Sequence, residues 1–169
     1  MGLRGCGKST LARRLCAVTG LPMVDLDDRT AALLGGKTAA DAWNNFGEVA
    51  FRAAEVRALR QAIDDETPII ALGGGTPTAP GAEAILRAQK RERPPRIVYL
   101  RAPAGVLAAR IRTGGRVMRP SLTGLDPAEE VPVILAQREP LFLDLANWVL
   151  EVGEISLDQA TERVLTAAS

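Results

Sequence analysis

The sequence predicts an α/β fold, a doubly wound parallel sheet with helices on both faces. Two observations lead to this prediction: short apolar runs alternate with helical patterns, and a glycine-rich loop leads directly into an amphipathic helix. The runs are apolar throughout rather than at alternate positions, which is typical of strands covered on both faces. With 169 residues and 47% hydrophobic content, the chain is long enough for one core, so we expect a single domain over residues 1–169.

The first predicted element is a helix that follows the glycine-rich loop. Leu11, Leu15 and Val18 fall on one helical face, Gly20 suits a C-terminal cap, and Pro22 prevents continuation.

The remaining elements are predicted from apolar runs and capping patterns. Strands are expected at residues 23–26, 68–72, 96–100 and 148–152. Capping boxes at residues 38–41 and 156–159 predict two helix starts, and residues 51–63 continue a long helix. Gly35 and Gly36 separate two of the helices.

Residues 2–10 read Gly-Leu-Arg-Gly-Cys-Gly-Lys-Ser-Thr and match the pattern G-x-x-x-x-G-K-[ST]. In such a phosphate-binding loop the backbone N–H groups surround phosphate oxygens, Lys8 reaches the β and γ phosphates, and Ser9 offers its hydroxyl to Mg²⁺. The loop residues expected to hold a nucleotide are Gly5, Cys6, Gly7, Lys8, Ser9 and Thr10. The alternative interpretation is a flexible terminal turn, which the helix that follows argues against.

Composition excludes several classes of function. The formal charge of +1, from 21 basic and 20 acidic residues, gives no indication of a nucleic-acid or membrane surface. The chain has no histidine, so carboxylates, lysine, arginine and Mg²⁺ are left to carry chemistry. Cys6 and Cys16 lack zinc-ligand or redox spacing. No apolar run approaches the roughly 20 residues of a membrane span, so a cytoplasmic protein is expected.

Ligands of open α/β sheets gather beyond the carboxyl ends of the strands. Asp25 and Asp27 end the first predicted strand, and a period of two places both carboxylates on the same side. One is placed to hold a magnesium-bound water and the other to accept a hydrogen bond from a substrate hydroxyl. The alternative is that Asp27 or Asp28 caps the next helix.

Glycines and arginines follow the later strands. Gly73, Gly74 and Gly75 would let backbone approach a ligand, or would form a plain turn. Arg52 and Arg138 suit bidentate recognition of a carboxylate, or are ordinary surface ion-pair partners.

A basic segment surrounds Thr113-Gly114-Gly115. Its arginines are Arg110, Arg112, Arg116 and Arg119. The segment would close over a nucleotide as a lid, and the alternative is an exposed charged loop.

In this order the motifs resemble those of shikimate kinases, small phosphate-loop kinases of the nucleoside monophosphate kinase-like class. The resemblance rests on the loop at residues 2–10, the stretches at 24–27, 46–55 and 72–75, Arg119-Pro120, and residues 138–142. It implies a three-layer α/β/α fold with strand order 2-3-1-4-5, a lid at about residues 111–124, and a monomer.

The resemblance also implies roles at the nucleotide. Lys8 and Arg119 would stabilise the ATP phosphates, and Ser9 would bind Mg²⁺, with Asp25 helping through water. Arg112 would stack on adenine.

At the acceptor, the resemblance implies that Asp27 contacts ring hydroxyls and takes the proton of the attacking one. Arg52 and Arg138 would grip a carboxylate, and Glu55 would orient Arg52. The backbone of residues 73–75 would hold the acceptor from the sheet side.

The activity implied is ATP-dependent phosphorylation of the 3-hydroxyl of shikimate, giving shikimate 3-phosphate and ADP in chorismate and aromatic amino acid biosynthesis. The partners would be shikimate, ATP and Mg²⁺. Two alternatives remain: a kinase for another small hydroxy acid such as gluconate, and a catalytically silent nucleotide-binding protein.

One strand of the implied fold is not found in the sequence. Only Met1 precedes Gly2, whereas a strand normally leads into a phosphate-binding loop. We therefore expect a natural start upstream, and expect two strands of this chain to lack their shared central neighbour.

Overall fold

The computed structural model describes residues 1–92, 97–114 and 126–168 and shows the predicted α/β architecture. The elements of these ranges are, in chain order, α1 Lys8–Thr19, β1 Met23–Asp25, α2 Leu26–Leu33, α3 Ala39–Asp64, β2 Ile69–Ala71, a 3₁₀ turn Thr76–Thr78, α4 Ala82–Glu92, β3 Val98–Arg101, α5 Ala104–Thr113, α6 Val131–Leu145, β4 Trp148–Glu151 and α7 Leu157–Ala168. No helix in these ranges is both long and apolar enough to cross a membrane.

The strands form two parallel pairs. β1 lies beside β2, with Met23 opposite Ile69, and β3 lies beside β4, with Val98 opposite Trp148. In the described residues no strand joins the two pairs, so they form two separate two-stranded sheets instead of one continuous sheet. This division matches the expectation that two strands lack a shared neighbour.

Met1 borders the space between the two strand pairs and forms backbone hydrogen bonds with β3, as a neighbouring strand residue would. Its nitrogen donates to the Val98 carbonyl at 2.6 Å, and its carbonyl accepts from the Leu100 N–H at 2.9 Å. The phosphate-binding loop is thereby fastened to β3.

Between β2 and β3 lies an open space of about 980 Å³, here called the cleft. It is bordered by both strands and by side chains of α1, α3, α4 and α7, including Leu11, Leu59, Leu86 and Val164. The facing edges of β2 and β3 have no strand partner across the cleft within the described ranges. The apolar faces of these helices therefore pack over the open cleft and not over a strand.

The predicted helix boundaries are confirmed by their caps. Gly20 has φ 71° and its N–H donates to the Cys16 carbonyl, which ends α1. Thr38 Oγ1 accepts the Asp41 N–H at 3.1 Å before α3. A reciprocal pair does the same before α7, since the backbone N–H groups of Ser156 and Gln159 each donate to the other residue's side chain.

The core lies mainly around β3 and the helices that cover it. Tyr99 and Phe142 are both buried, and their rings meet edge to face with centroids 5.3 Å apart. A smaller cluster of Ala31, Ala42 and Phe51 joins α2 to α3, with Trp43 packed against it. This smaller cluster forms one wall of the candidate site.

Candidate active site

The phosphate-binding loop adopts the conformation that its glycines predict. Gly5 and Gly7 have φ of 84° and 91°, in the left-handed region that favours glycine. A Cβ on Gly5 would also lie only 3.0 Å from the Leu107 carbonyl oxygen. Gly7 is the N-cap of α1, which places Lys8, Ser9 and the positive end of the helix at the loop.

Lys8 folds back onto its own loop. Its Nζ donates to the Leu3 carbonyl at 3.1 Å and lies 3.7 Å from the Cys6 sulfur. Cys6 is buried beside Gly2, where a Cβ would come within 2.8 Å of the sulfur. The thiol is therefore a packing group under the loop, and the amine of the half-buried lysine is held by a carbonyl of the same loop.

The geometry predicted for the two aspartates is wrong in one respect. β1 ends at Asp25 and α2 begins at Leu26, so Asp27 lies in the first turn of a helix and not on an extended strand. Asp25 is the N-cap, because its Oδ1 accepts the Asp27 N–H at 3.1 Å. The capping role considered for Asp27 or Asp28 thus belongs to Asp25, while Asp28 is an exposed residue of α2.

The glycines after β2 allow side chains to approach the backbone closely. A Cβ on Gly73 would lie 2.7 Å from Asp27 Oδ1, 2.8 Å from Thr76 Oγ1 and 2.9 Å from Glu55 Oε1. A Cβ on Gly75 would overlap the Arg52 guanidinium. These neighbours are side chains of the protein itself, so packing alone leaves no room for a Cβ at Gly73 or Gly75, and contact of this backbone with a ligand stays a prediction.

Arg52 is held on three sides. Its Nη1 donates to Glu55 Oε2 at 2.6 Å, its Nε lies 3.6 Å from Glu48 Oε1, and its guanidinium carbon lies 5.1 Å from the centre of the Trp43 ring. The Arg52 side chain is only 14% exposed, so this is not the surface ion pair considered as an alternative.

Glu55 is the buried member of this arrangement. Its side chain is 2% exposed, and burial raises its pKa above the ordinary value, against the opposing effects of Arg52 and Thr76. The carboxylate joins two groups, since its other oxygen accepts the Thr76 hydroxyl at 2.9 Å.

Arg138 enters from α6 on the opposite side. Its Nη1 donates to the Gly74 carbonyl at 3.0 Å. Burial, and after it the positive charge of Arg52, lowers the pKa of Arg138. Two guanidinium groups that repel each other in a partly buried site would gain from a bound anion.

These side chains surround one pocket of about 100 Å³, here called the arginine pocket. Of the residues selected from the sequence, the pocket brings together Asp27, Arg52, Gly74, Gly75 and Arg138. Leu3 and Arg4 of the phosphate-binding loop also line it, so the pocket opens beside the loop. The apolar part of the wall is formed by Trp43, Phe51, Ile111 and Ile134.

Other predicted residues lie away from the arginine pocket. Lys8 borders the cleft, and Arg112 is exposed in the last turn of α5. Arg116 and Arg119 lie outside the described residues, as does most of the lid predicted at about residues 111–124. The roles of Arg112 and Arg119 stay predictions.

A second network behind α6 was not predicted from the sequence. Glu139 Oε1 accepts hydrogen bonds from the Tyr99 hydroxyl at 3.1 Å and from Arg101 Nε at 2.7 Å. The bond from Arg101 lowers the pKa of Glu139, and burial raises the pKa of Tyr99 above its ordinary value. This network ties α6 to β3 directly beside Arg138. Its only signal in the sequence is a glutamate next to a selected arginine.

The residues present would suit a magnesium ion that takes only one or two of its ligands from the protein. The described ranges contain no cluster of three or more acidic, cysteine or histidine side chains that would form an all-protein metal cage. Mg²⁺ usually keeps several waters and takes one or two protein oxygens together with phosphate. The Ser9 hydroxyl and the Asp25 carboxylate are hard oxygen donors of that kind.

The fold and the site define a class. A glycine-rich loop that caps a helix beside a parallel sheet, with an anion pocket next to it, is the arrangement of an α/β phosphate-loop protein that binds a nucleotide together with a small acidic molecule.

Comparisons with known proteins give the family. The family model described as shikimate kinase matches residues 4–169. The shikimate kinase of Mycobacterium tuberculosis is 37% identical over 170 residues, which cover 98% of this chain and 89% of the relative. That of Rhodopirellula baltica is 37% identical over 172 residues, covering 99% and 87%. The chain belongs to the shikimate kinase family.

Solved structures agree with this assignment. A shikimate kinase from Acinetobacter baumannii in complex with shikimate superposes with a TM-score of 0.83 at 26% identity, covering 99% of this chain and 89% of the other. A shikimate kinase from Bacteroides thetaiotaomicron shares the fold, with a TM-score of 0.81 at 22% identity and coverage of 99% and 95%.

Proposed function

We propose that this chain transfers the γ-phosphoryl group of ATP to the 3-hydroxyl of shikimate, releasing shikimate 3-phosphate and ADP. The observation that carries the proposal is the arginine pocket, in which Arg52 and Arg138 converge beside a phosphate-binding loop. A small ring acid seated there by its carboxylate would present its hydroxyls toward Asp27 and the loop. Membership of the shikimate kinase family supports this choice of acceptor.

The roles proposed at the acceptor follow from charge and placement. Arg52 and Arg138 bind the carboxylate, and the backbone of residues 73–75 supports the acceptor from the sheet side. Asp27 lies in the arginine pocket and accepts the proton of the attacking hydroxyl as the O–P bond forms.

The roles proposed at the nucleotide use the loop. The backbone of residues 5–10 and Lys8 bind the phosphates, and Arg119 neutralises charge on the transferred group. Arg112 packs on adenine. Ser9 and, through water, Asp25 hold Mg²⁺, which supplies charge neutralisation at the β and γ phosphates when bound. Positioning and charge neutralisation provide most of the rate in such a reaction.

The test is ADP release by the purified chain with Mg²⁺-ATP and shikimate, gluconate or no acceptor. We expect release that depends on shikimate and falls to the acceptor-free level with gluconate. Release with gluconate alone would make the protein another hydroxy-acid kinase. ATP binding without any acceptor-dependent release would indicate a silent nucleotide-binding protein.

We further propose that the chain acts as a single-domain monomer in the cytoplasm. Light scattering at micromolar concentration tests the monomer, and a mass of twice the calculated value would contradict it.

A further inference from the structure

The three oxygens gathered around Gly73 belong to Asp27, Glu55 and Thr76, and Thr76 has no role in the proposed reaction so far. Thr76 is completely buried, and its hydroxyl donates to Glu55 Oε1 at 2.9 Å. The other carboxylate oxygen, Oε2, accepts Arg52 Nη1 at 2.6 Å. A continuous chain of hydrogen bonds thus runs from Thr76 through Glu55 to the arginine pocket.

The backbone fixes Thr76 in this position. The 3₁₀ turn begins at Thr76, whose N–H donates to the Gly73 carbonyl at 3.2 Å and whose carbonyl accepts the Ala79 N–H at 3.0 Å. Since a Cβ on Gly75 would overlap the Arg52 guanidinium, the turn that carries the hydroxyl also lies close to the arginine. Arg52 is therefore held between the turn and Glu55.

We infer that Thr76 is a positioning residue for the acceptor: its hydroxyl orients the Glu55 carboxylate, which in turn aims Arg52 into the arginine pocket. This inference deepens the proposed function and depends on it for the identity of the acceptor. Thr76 itself touches no substrate. Its contribution is that the guanidinium is already in place before the carboxylate arrives, which reduces the ordering required on binding.

Several charged groups face Glu55. Arg52 lies on the same helix, Asp27 comes from α2, and Arg138 comes from α6. Burial, and to a smaller extent Asp27, disfavours the carboxylate form, while Arg52 favours it. The attraction between Glu55 and Arg138 acts in the same direction as Arg52. The Thr76 hydroxyl favours the carboxylate form, so its removal raises the pKa of Glu55 and weakens the ion pair with Arg52 as the pH falls.

The test compares Thr76→Val, which keeps the shape and removes the hydroxyl, with Thr76→Ser, which keeps the hydroxyl. We expect Thr76→Val to raise the KM for shikimate about tenfold, equivalent to about 1.4 kcal/mol, with the KM for ATP unchanged. The acid limb of kcat/KM for shikimate should move to higher pH. Thr76→Ser should restore the wild-type KM and pH profile.

Thr30→Val is the matched control. Thr30 is also completely buried, but within the described part of the chain its hydroxyl has no hydrogen-bond partner. Loss of that hydroxyl should leave both KM values unchanged. If Thr76→Ser behaves like Thr76→Val, or if Thr76→Val keeps the wild-type KM and pH profile, the inference is wrong.

A readout without turnover separates this inference from the proposed function. Trp43 lies 5.1 Å from the Arg52 guanidinium, so its fluorescence in a Trp148→Phe background reports on that arginine. We expect Thr76→Val, and not Thr30→Val, to change the emission of the free protein. A wild-type chain inactive on shikimate would refute the proposed function, whereas unchanged Trp43 emission in Thr76→Val would refute the positioning role.

Discussion

Arg52 and Arg138 face the same pocket but are held differently. Arg52 has an acidic partner at 2.6 Å, whereas Arg138 donates to a backbone carbonyl and lies close to another positive charge. An incoming carboxylate would therefore be balanced mainly against Arg138, since the charge of Arg52 is already offset by Glu55. At the scale of single residues, we therefore expect substitution of Arg138 to weaken carboxylate binding more than substitution of Arg52.

Arg138→Lys tests the proposed role of Arg138 as the main countercharge of the carboxylate. A lysine cannot donate to the Gly74 carbonyl and also grip a carboxylate with a planar fork, so we expect the KM for shikimate to rise about tenfold or more. The KM for ATP should stay within about twofold. Arg87→Lys is the control, because the ion pairs of Arg87 with Glu83 of its own helix and with Asp144 of α6 are exposed, and such pairs contribute little. An equal effect of both substitutions would contradict the assignment.

Asp27→Asn tests the proposed proton acceptor. The amide keeps the size of the side chain and cannot take a proton, so we expect kcat to fall by about 10²- to 10⁴-fold in steady-state assays. Asp28→Asn removes the same charge one residue away, on the exposed side of α2, and should leave kcat within about twofold. A small effect of Asp27→Asn would assign proton removal to solvent.

At the scale of elements, α3 shows most clearly where sequence reasoning stops. The long helical stretch, its Thr38 cap and its buried face were all predicted. In a straight helix, however, Trp43 and Arg52 are nine residues apart and lie on opposite faces. The structure breaks the helix at Gly47, which has φ 77° and ψ 171°, and the two side chains meet. Periodicity carries no signal for such a break.

The boundary after β1 was mispredicted for a related reason. The apolar run continues through Leu26, although the strand ends at Asp25 and Leu26 is already helical. Three nearby aspartates each qualify as a cap by residue type, so only the three-dimensional path selects Asp25. No local pattern assigns a role to Thr76, because its partner Glu55 is 21 residues away along the chain. Local patterns predicted the pocket residues, and long-range contacts determine what holds them.

Gly47→Ala tests the break in α3. A side chain at positive φ costs about 1 to 2 kcal/mol, and the strain is relieved if the helix straightens. We expect lower stability in urea unfolding, a changed Trp43 emission and a higher KM for shikimate.

The control for the break is Gly105→Ala in α5. Gly105 lies in the first turn of α5, with open space at its Cβ position and no positive φ, so alanine there should not destabilise the chain. Wild-type emission and KM in Gly47→Ala would show that the break does not position Arg52.

At the scale of the whole molecule, the cleft separates the β1–β2 pair from the β3–β4 pair. The helix α1 contacts both β1 and β2 and also α7, and the phosphate-binding loop contacts both β3 and the glycine turn at residues 73–75, so helix and loop packing join the two sides in the described residues. Each side carries one tryptophan, Trp43 in α3 and Trp148 in β4. Regions joined by fewer cooperative contacts open at different free energies.

Single-tryptophan variants test this division. Trp148→Phe leaves Trp43 as the reporter, and Trp43→Phe leaves Trp148. We expect urea midpoints that differ by about 0.5 M, which corresponds to about 1 kcal/mol at an ordinary denaturant slope. Circular dichroism of each variant provides the control for overall unfolding. Coincident midpoints by all probes would show that the two sides unfold as one unit.

The placement of the phosphate-binding loop also has a mechanical consequence. Residue Met1 fastens the loop to β3, whereas Asp27 and the glycine turn follow β1 and β2. The loop also lies against the glycine turn, since a Cβ on Gly74 would come within 3.4 Å of the Arg4 backbone nitrogen. The loop backbone and the bond from Arg138 to the Gly74 carbonyl thus connect the two strand pairs at the site. The rate of the proposed transfer would then depend on how firmly residues 1–4 are held between β3 and the glycine turn.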